Sequence, residues 1–372
     1  MLWAEEVMMK IAMQQPIITD YRMGVFLLLR KRYGDGFQIY AGVSDFGGSP
    51  VSTPEAWRHF KRVQNLYLFG GGFLWQKGGL LKLVQADVAI LNANMRMLSN
   101  TVVMVLRFML RRPTLLWGHA KGQCVFADKF RGVYLRMCSG FIAYTESQAE
   151  YLEDRYKWLR VQVAANACVH AEDCQSIESQ LSDLNSFLYV GRLVPEKKVE
   201  LLLNAFLHAK KSGLLNDEVR LVFVGDGVER RRLETQAHDS GCGDSVVFVG
   251  HVSDVKELRV LYGNAICSVS PGYVGLSATQ SFSFGVPMLV AKDEFHSPEI
   301  EACLEGFNAE FFASDDPTEL ALGLERMAGK EMLHRYFHSR KQIAEWTKER
   351  YSFEAMSNSF VHIIELTKHN VF

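Results

Sequence analysis

The chain of 372 residues contains no Cys-x-x-Cys pair, and its cysteines, Cys124, Cys138, Cys168, Cys174, Cys242, Cys267 and Cys303, are scattered and odd in number. That excludes a disulfide framework and leads us to expect free thiols in a reducing compartment. Zinc-ligand spacing, a Walker loop and a recognisable Ser/His/Asp set are also missing. No Asp-x-Asp pair occurs either, so no divalent metal is expected. Long apolar runs are missing too. The best, Thr101 to Leu110, is interrupted by Arg107 and stopped by Arg111-Arg112, well short of the roughly 18–20 residues a membrane span needs. A core helix is the expectation there, with a membrane-surface helix as the lesser alternative. Glu5 and Glu6 stand where a secretory leader would be basic, so a cytoplasmic location is expected. There is no short repeat and no low-complexity tract.

Net charge is nearly absent, at −1, but its halves differ: residues 1–170 hold 21 Lys/Arg against 12 Asp/Glu, leaving 20 against 30 for the remainder. A basic first half suits an anionic partner, and peripheral contact with the inner face of an anionic membrane is one expectation. The plain alternative is scattered solvated charge, since no basic run exceeds Arg30-Lys31-Arg32.

What is present is a strand, loop, helix pattern that runs once, pauses and restarts. The length suits two domains. We expect a first domain over residues 1–167, a polar connection over 168–185, a second domain over 186–350 and a closing helical segment over 351–372. In the first, strands are expected at Lys10–Gln14, Phe37–Ala41, Leu66–Phe69, Asp87–Asn92, Pro113–Trp117, Gly140–Thr145 and Val161–Ala164. The helix over Ser99–Arg112 is expected to be capped by Ser99 or Asn100. In the second, strands at Phe187–Val190, Arg220–Val224, Val246–Val249, Ala265–Val269 and Pro287–Ala291 alternate with helices. The expected fold is α/β, two Rossmann-like domains facing each other across a cleft.

The strand ends carry the chemistry. Phe187–Val190 runs into Gly191-Arg192, with Lys197 five residues on; a guanidinium and an ammonium there suit the two phosphates of a nucleoside diphosphate and the charge that grows on it as a leaving group. The next strands end at Gly225-Asp226-Gly227 and Gly250-His251-Val252. Ser270 to Pro287 follows, with Gly272, Gly275, Leu276 and Ser277 where a glycine turn enters a helix, a shape that receives anions on free N–H groups. His119, in Gly118-His119-Ala120-Lys121-Gly122, sits just past a strand end, where open parallel sheets place ligands. Residues Gly70 to Gly79 are rich in glycine and aromatics, as a binding loop or a tight core turn would be. Phe73 and Trp75 from that loop, with Tyr21 and Arg22, are the candidates for holding a second substrate.

Leu188 to Lys197, Val222 to Gly227, Val247 to Gly250, and Ser270 to Pro287 together resemble the family-4 retaining glycosyltransferases of GT-B fold. The first half is more weakly similar, at Trp117-Gly118-His119, Tyr144-Thr145-Glu146 and Asn166-Ala167. The resemblance implies a transferase that moves a sugar, with retention, from a nucleotide diphosphate-sugar held by the second domain to an acceptor held by the first. It implies that Arg192, Lys197 and the amides of Gly275 and Leu276 hold the diphosphate, that His119 approaches the donor sugar, that Gly225, Gly227, His251 and Val252 border the base, and that the closing helix crosses back to the first domain. The family commonly has two glutamates, separated by seven residues, where this chain has Gly272 and Gln280. Gln280 can still bond a ribose hydroxyl; Gly272 cannot replace a carboxylate. An unusual donor sugar, a substitute such as Glu299 or Glu301, or lost activity would each follow. The leading expectation is a bacterial surface-polysaccharide transferase acting on a glycan or polyprenyl-diphosphate-linked acceptor. The alternatives are a sugar-nucleotide epimerase or hydrolase of the same fold and a catalytically impaired nucleotide-binding partner protein. Nucleic acid is not an expected partner.

Overall fold

The computed structural model describes residues 9–47, 50–120 and 131–368. Glu5, Glu6, Cys124, the Lys121-Gly122 end of the His119 loop and the start of the helix expected before Cys138 lie outside them. The chain divides into two compact units, one formed by Met1–Ala167 with Phe353–Phe372 and the other by Cys168–Ser352.

The first unit contains β1 (Ile11–Gln15), β2 (Phe37–Ala41), β3 (Lys61–Arg62), β4 (Gln64–Leu68), β5 (Phe73–Lys77), β6 (Val88–Asn92), β7 (Thr114–Trp117), β8 (Gly140–Ala143) and β9 (Val161–Val163). Seven of them form one parallel sheet in the order β3-β2-β1-β6-β7-β8-β9. Its central strands are buried along their whole length, β1 at all five positions and β7 at all four, because helices cover both faces. On one face Phe26, Trp117, Phe360 and Ile363 share a core. Helix Asp20–Tyr33 packs there on helix Phe353–Lys368, and Gly24 permits it: a Cβ at that position would lie 2.4 Å from the Phe353 ring. On the other face Leu83, Val103, Met104 and Leu152 pack from three helices, Leu80–Gln85, Leu98–Met109 and Glu146–Arg155.

The strand expected at Leu66–Phe69 is present as β4, but it does not join the parallel sheet: β4 and β5 form a separate antiparallel hairpin, and the edge of the sheet is the two-residue β3. Glycines at 70 and 71 with φ of 65° and 89° turn the chain back on itself, so local hairpin pairing wins over sheet addition. Nor do Ser99 and Asn100 cap their helix, which begins at Leu98 after Met97. Both side chains are buried instead: the Ser99 hydroxyl accepts from the Gln76 amide at 3.3 Å and Asn100 donates to the Asn92 carbonyl at 3.0 Å.

The second unit has β10 (Ser186–Val190), β11 (Arg220–Val224), β12 (Val246–Gly250), β13 (Ala265–Ser270), β14 (Met288–Ala291) and β15 (Ala309–Phe312). They pair in parallel in the order β12-β11-β10-β13-β14-β15. The order reverses between β10 and β13, so the loops leaving these two strands diverge around a crevice. The last strand, β15, was not expected.

Candidate functional site

Three loops leave β10, β11 and β12 and close on one another through backbone alone. The Gly191 amide donates to the Val224 carbonyl at 2.9 Å, the Gly225 amide to the Gly250 carbonyl at 2.7 Å and the Leu193 amide to the Asp226 carbonyl at 2.9 Å. No side chain fits between them. A Cβ at Gly225 would fall 1.8 Å from the Gly191 oxygen and one at Gly227 would fall 2.2 Å from the Leu193 oxygen. The Tyr189 hydroxyl pins the next turn by donating to the Arg192 carbonyl at 2.8 Å. His251 is exposed, and Val252 is half-buried against the core cluster that includes Leu188, Val224 and Leu258.

Two adjacent lysines leave this loop with different fates. Lys198 is tied to Glu294 at 2.5 Å and Asp315 at 2.7 Å. Lys197 has no ion pair among the described residues. Its ammonium donates to the Tyr273 carbonyl at 2.9 Å and lies 3.4 Å from the centre of the Tyr273 ring. Burial, and next the positive charge of Arg192, push its pKa down to about 8, against a smaller upward pull from Glu299. The Arg192 side chain is exposed, without hydrogen bond or ion pair among the described residues. The pair is therefore a local excess of positive charge with unused donors.

The stretch after β13 wraps over these cations. Gly272 lies against the backbone, where a Cβ would meet the Lys197 carbonyl carbon and oxygen at 3.0 Å and the Glu196 oxygen at 3.1 Å. Gly275 faces the Lys197 ammonium, 3.8 Å from where its Cβ would be. The N–H groups of Gly275, Leu276 and Ser277 have no acceptor among the described residues, as expected ahead of helix Ser277–Ser283. Gln280 accepts from the Tyr262 hydroxyl at 3.2 Å, which leaves its NH2 group to donate elsewhere. Glu299 is 5% exposed, close enough to Lys197 to raise its pKa. Arg192, Gly272, Gly275 and Glu299 are thus gathered around Lys197, with Leu276 next in the chain, on loops that follow β10, β13 and β14.

Sequence reasoning missed His296. Its Nδ1 accepts from the Val274 amide at 3.0 Å while the Ser297 amide donates to the Val274 carbonyl at 3.1 Å, so residues 296–297 hold the glycine loop at both polar groups of Val274. Nothing in the local spacing signals a clasp made by a residue 22 positions away. A groove of about 1040 Å³ between helices Val199–Lys211 and Arg230–Asp239 contains none of these residues; it is an open furrow that reaches the Gly225–Gly227 loop only at Val228.

In the first unit, His119 stands beyond β7 with its ring 4.9 Å from that of Tyr144. Arg22 donates to the Tyr144 hydroxyl at 3.0 Å and lies over the Trp117 ring at 4.6 Å and the Tyr21 ring at 5.4 Å. Burial, then the cations Arg22 and Arg131, hold the His119 pKa below the usual imidazole range. Tyr21, Arg22 and His119 therefore form one group. Phe73 and Trp75 belong to the β4–β5 hairpin, where Phe73 packs edge-on against the exposed Phe69 at 5.9 Å.

Residues 175–349 match the family described as glycosyl transferases group 1. The match lies wholly within the second unit, which is similar to the group 1 glycosyl transferases. Over 128 residues it is 32% identical to the GalNAc-α-(1→4)-GalNAc-α-(1→3)-diNAcBac-PP-undecaprenol α-1,4-N-acetyl-D-galactosaminyltransferase of Campylobacter jejuni. That match covers 34% of this chain and about a third, 34%, of the relative. Among solved structures, Alr3699/HepE of Anabaena in complex with UDP superposes with a TM-score of 0.67 at 17% identity, over 96% of this chain and all of that one. A glycosyltransferase of Rickettsia africae gives 0.72 at 12% identity, over 97% and 99%. At such identities the likeness shows the fold: two Rossmann-like units in the chain order of the GT-B glycosyltransferases.

Proposed function

We propose that the protein is a retaining, metal-independent glycosyltransferase that moves a sugar from a nucleotide diphosphate-sugar to a glycan or lipid-linked acceptor in surface-polysaccharide synthesis. The observation that carries the reading is the unspent positive charge of Arg192 and Lys197 beside the free amides of residues 275–277, on loops closed so tightly that only glycine fits them. This is a receptor for a diphosphate leaving group. As the bond between the anomeric carbon and the β-phosphate oxygen breaks, the two cations take up the charge. The acceptor oxygen bonds to that carbon on the same face and passes its proton to the departing phosphate oxygen. With Gly272 pressed on the Lys197 backbone, a side chain at 272 would require the loop to shift, and buried Glu299 supplies the carboxylate on the donor side. Gln280 contributes its NH2 group to the ribose. The first unit holds the acceptor through Tyr21 and Arg22, and His119 beside them approaches the donor sugar. The Campylobacter relative, whose printed acceptor is a glycan on undecaprenyl diphosphate, supports an acceptor of that class.

The test is a thermal-shift screen against UDP, GDP, TDP, ADP and CMP with and without magnesium. Ligand at a hundred times its dissociation constant adds about 2.7 kcal/mol, and a diphosphate preference without metal is expected. No shift with any of them would overturn the donor site. A second reading follows from the same glycine at 272: a protein that binds the nucleotide but transfers nothing. NMR of the anomeric configuration in product from matched donor and acceptor separates the two.

A further inference from the structure

Phe295 is 95% exposed, more than any other large apolar side chain among the described residues. It stands in the loop that follows β14, and both of its neighbours are fixed. Glu294 is ion-paired to Lys198, and the His296 imidazole accepts from the Val274 amide. Between them the His296 amide donates to the Glu294 carbonyl at 2.9 Å, which makes Phe295 the central residue of a γ-turn. Further back, the Lys292 amide donates to the Phe312 carbonyl at 3.0 Å and the Asp293 amide to the Ser314 hydroxyl at 2.8 Å. A single exposed apolar side chain on a loose loop would need no explanation. Here the backbone is pinned on both sides, and the two pins adjoin the groups offered to a diphosphate: Lys198 follows Lys197, and Val274 precedes Gly275. The ring is thus held out to solvent on a braced arch at the rim of the site.

Strand order decides which part of a donor reaches this ring. The crevice opens between β10 and β13; β11 and β12 lie on the β10 side of it and β14 lies on the β13 side. A nucleotide diphosphate-sugar with its phosphates on Lys197 and the amides of residues 275–277, and its base by the turns that follow β11 and β12, runs its sugar toward the loop of β14. Glu299 lies four residues beyond Phe295 on the same segment. We propose that Phe295 is a specificity-determining residue for the transferred sugar, its ring stacking on the C–H face of a neutral pyranose. Such a face is the least hydrated part of a sugar, and a phenyl ring covers it while ordering only two side-chain torsions. The inference rests on the diphosphate site proposed above.

The experiment is calorimetric titration of the parent, Phe295→Ala and Phe295→Trp with UDP, GDP, ADP and TDP, and with UDP-galactose, UDP-glucose, GDP-mannose, ADP-glucose and TDP-glucose. The base that the parent prefers fixes the ligands to compare. Phe295→Ala should weaken binding of the nucleotide-sugar roughly three- to tenfold and leave that of its nucleoside diphosphate within about twofold. Phe295→Trp should restore the parent's affinity. At 95% exposure the side chain has no packing to lose, so the nucleoside diphosphate arm also reports on folding. Equal weakening of both ligands, as a contact with the base or a structural role would give, would overturn the proposal, and so would no weakening of either. A parent that binds none of the four nucleoside diphosphates would overturn the donor-site reading, and this inference with it.

Discussion

At the scale of the residue, charge left unpaired marks function and backbone crowding marks necessity. The Lys197 ammonium titrates near 8 because it is buried beside Arg192, so it is charged at neutral pH and loses its proton as pH rises through that value. Affinity for a nucleoside diphosphate should fall about tenfold between pH 7 and pH 9 in calorimetric titrations, while Lys197→Arg should hold its affinity across the range. A parent whose affinity is flat over that interval would remove Lys197 from the diphosphate site. Gly225 tests the other principle. Its φ of 141° and the 1.8 Å between the Gly191 oxygen and the place a methyl would occupy leave alanine no room, and Gly225→Ala should cost about 2–4 kcal/mol in denaturant unfolding. Arg192, Lys197 and the glycines were legible in sequence because each follows an apolar run that can only be a buried parallel strand. His296 and the Tyr273 ring were not, because their roles depend on loops that meet only in the fold.

At the scale of the element, the loop between β13 and helix Ser277–Ser283 is held by the His296 clasp. Its imidazole lies below the ordinary pKa chiefly because it is buried, with Lys197 adding to the shift and Glu294 and the backbone of Lys292 and Ala291 opposing it. A histidine with a lowered folded-state pKa contributes stability above pH 6.5 that is lost as pH falls through the folded value. Protonation also removes the acceptor for the Val274 amide. Hydrogen exchange at Val274 should therefore speed up between pH 6.5 and pH 5 beyond the intrinsic trend, and His296→Ala should show the faster exchange at every pH. An amide equally protected in parent and variant would deny the clasp any role. Helix boundaries were read within a few residues wherever periodicity was strong, as at Val199–Lys211. They failed as explanations where a polar residue had tertiary work: Ser99 and Asn100 look like caps and are buried partners, and Arg107 looks like an interruption and is an anchor.

At the scale of the molecule, the alternation of strands and helices disclosed both sheets, since a parallel strand buried on two faces has no other composition open to it. The hairpin β4–β5 and the strand β15 stayed hidden. The first is set by glycine geometry, the second by four residues, Ala309–Phe312, flanked by no distinctive turn. Helix Phe353–Lys368 gives the first unit Phe353, Met356, Phe360, Ile363 and Ile364, with Phe360 edge-on to Trp117 at 5.0 Å. A chain ended at Ser352 should lose the cooperative melting of the first unit in calorimetry, while nucleoside diphosphate still raises the transition of the second. Retention of both transitions would show the helix to be dispensable.

The same helix imposes an order in time. A unit built from the first 167 residues and the last 20 is unfinished while the 185 residues between them are being made. At bacterial or eukaryotic elongation speeds that is roughly ten to forty seconds during which its core stands open on one side. The second unit, encoded later, is complete first. Protease challenge of ribosome-bound chains stalled beyond residue 352 should leave the second unit resistant and the first still cleaved.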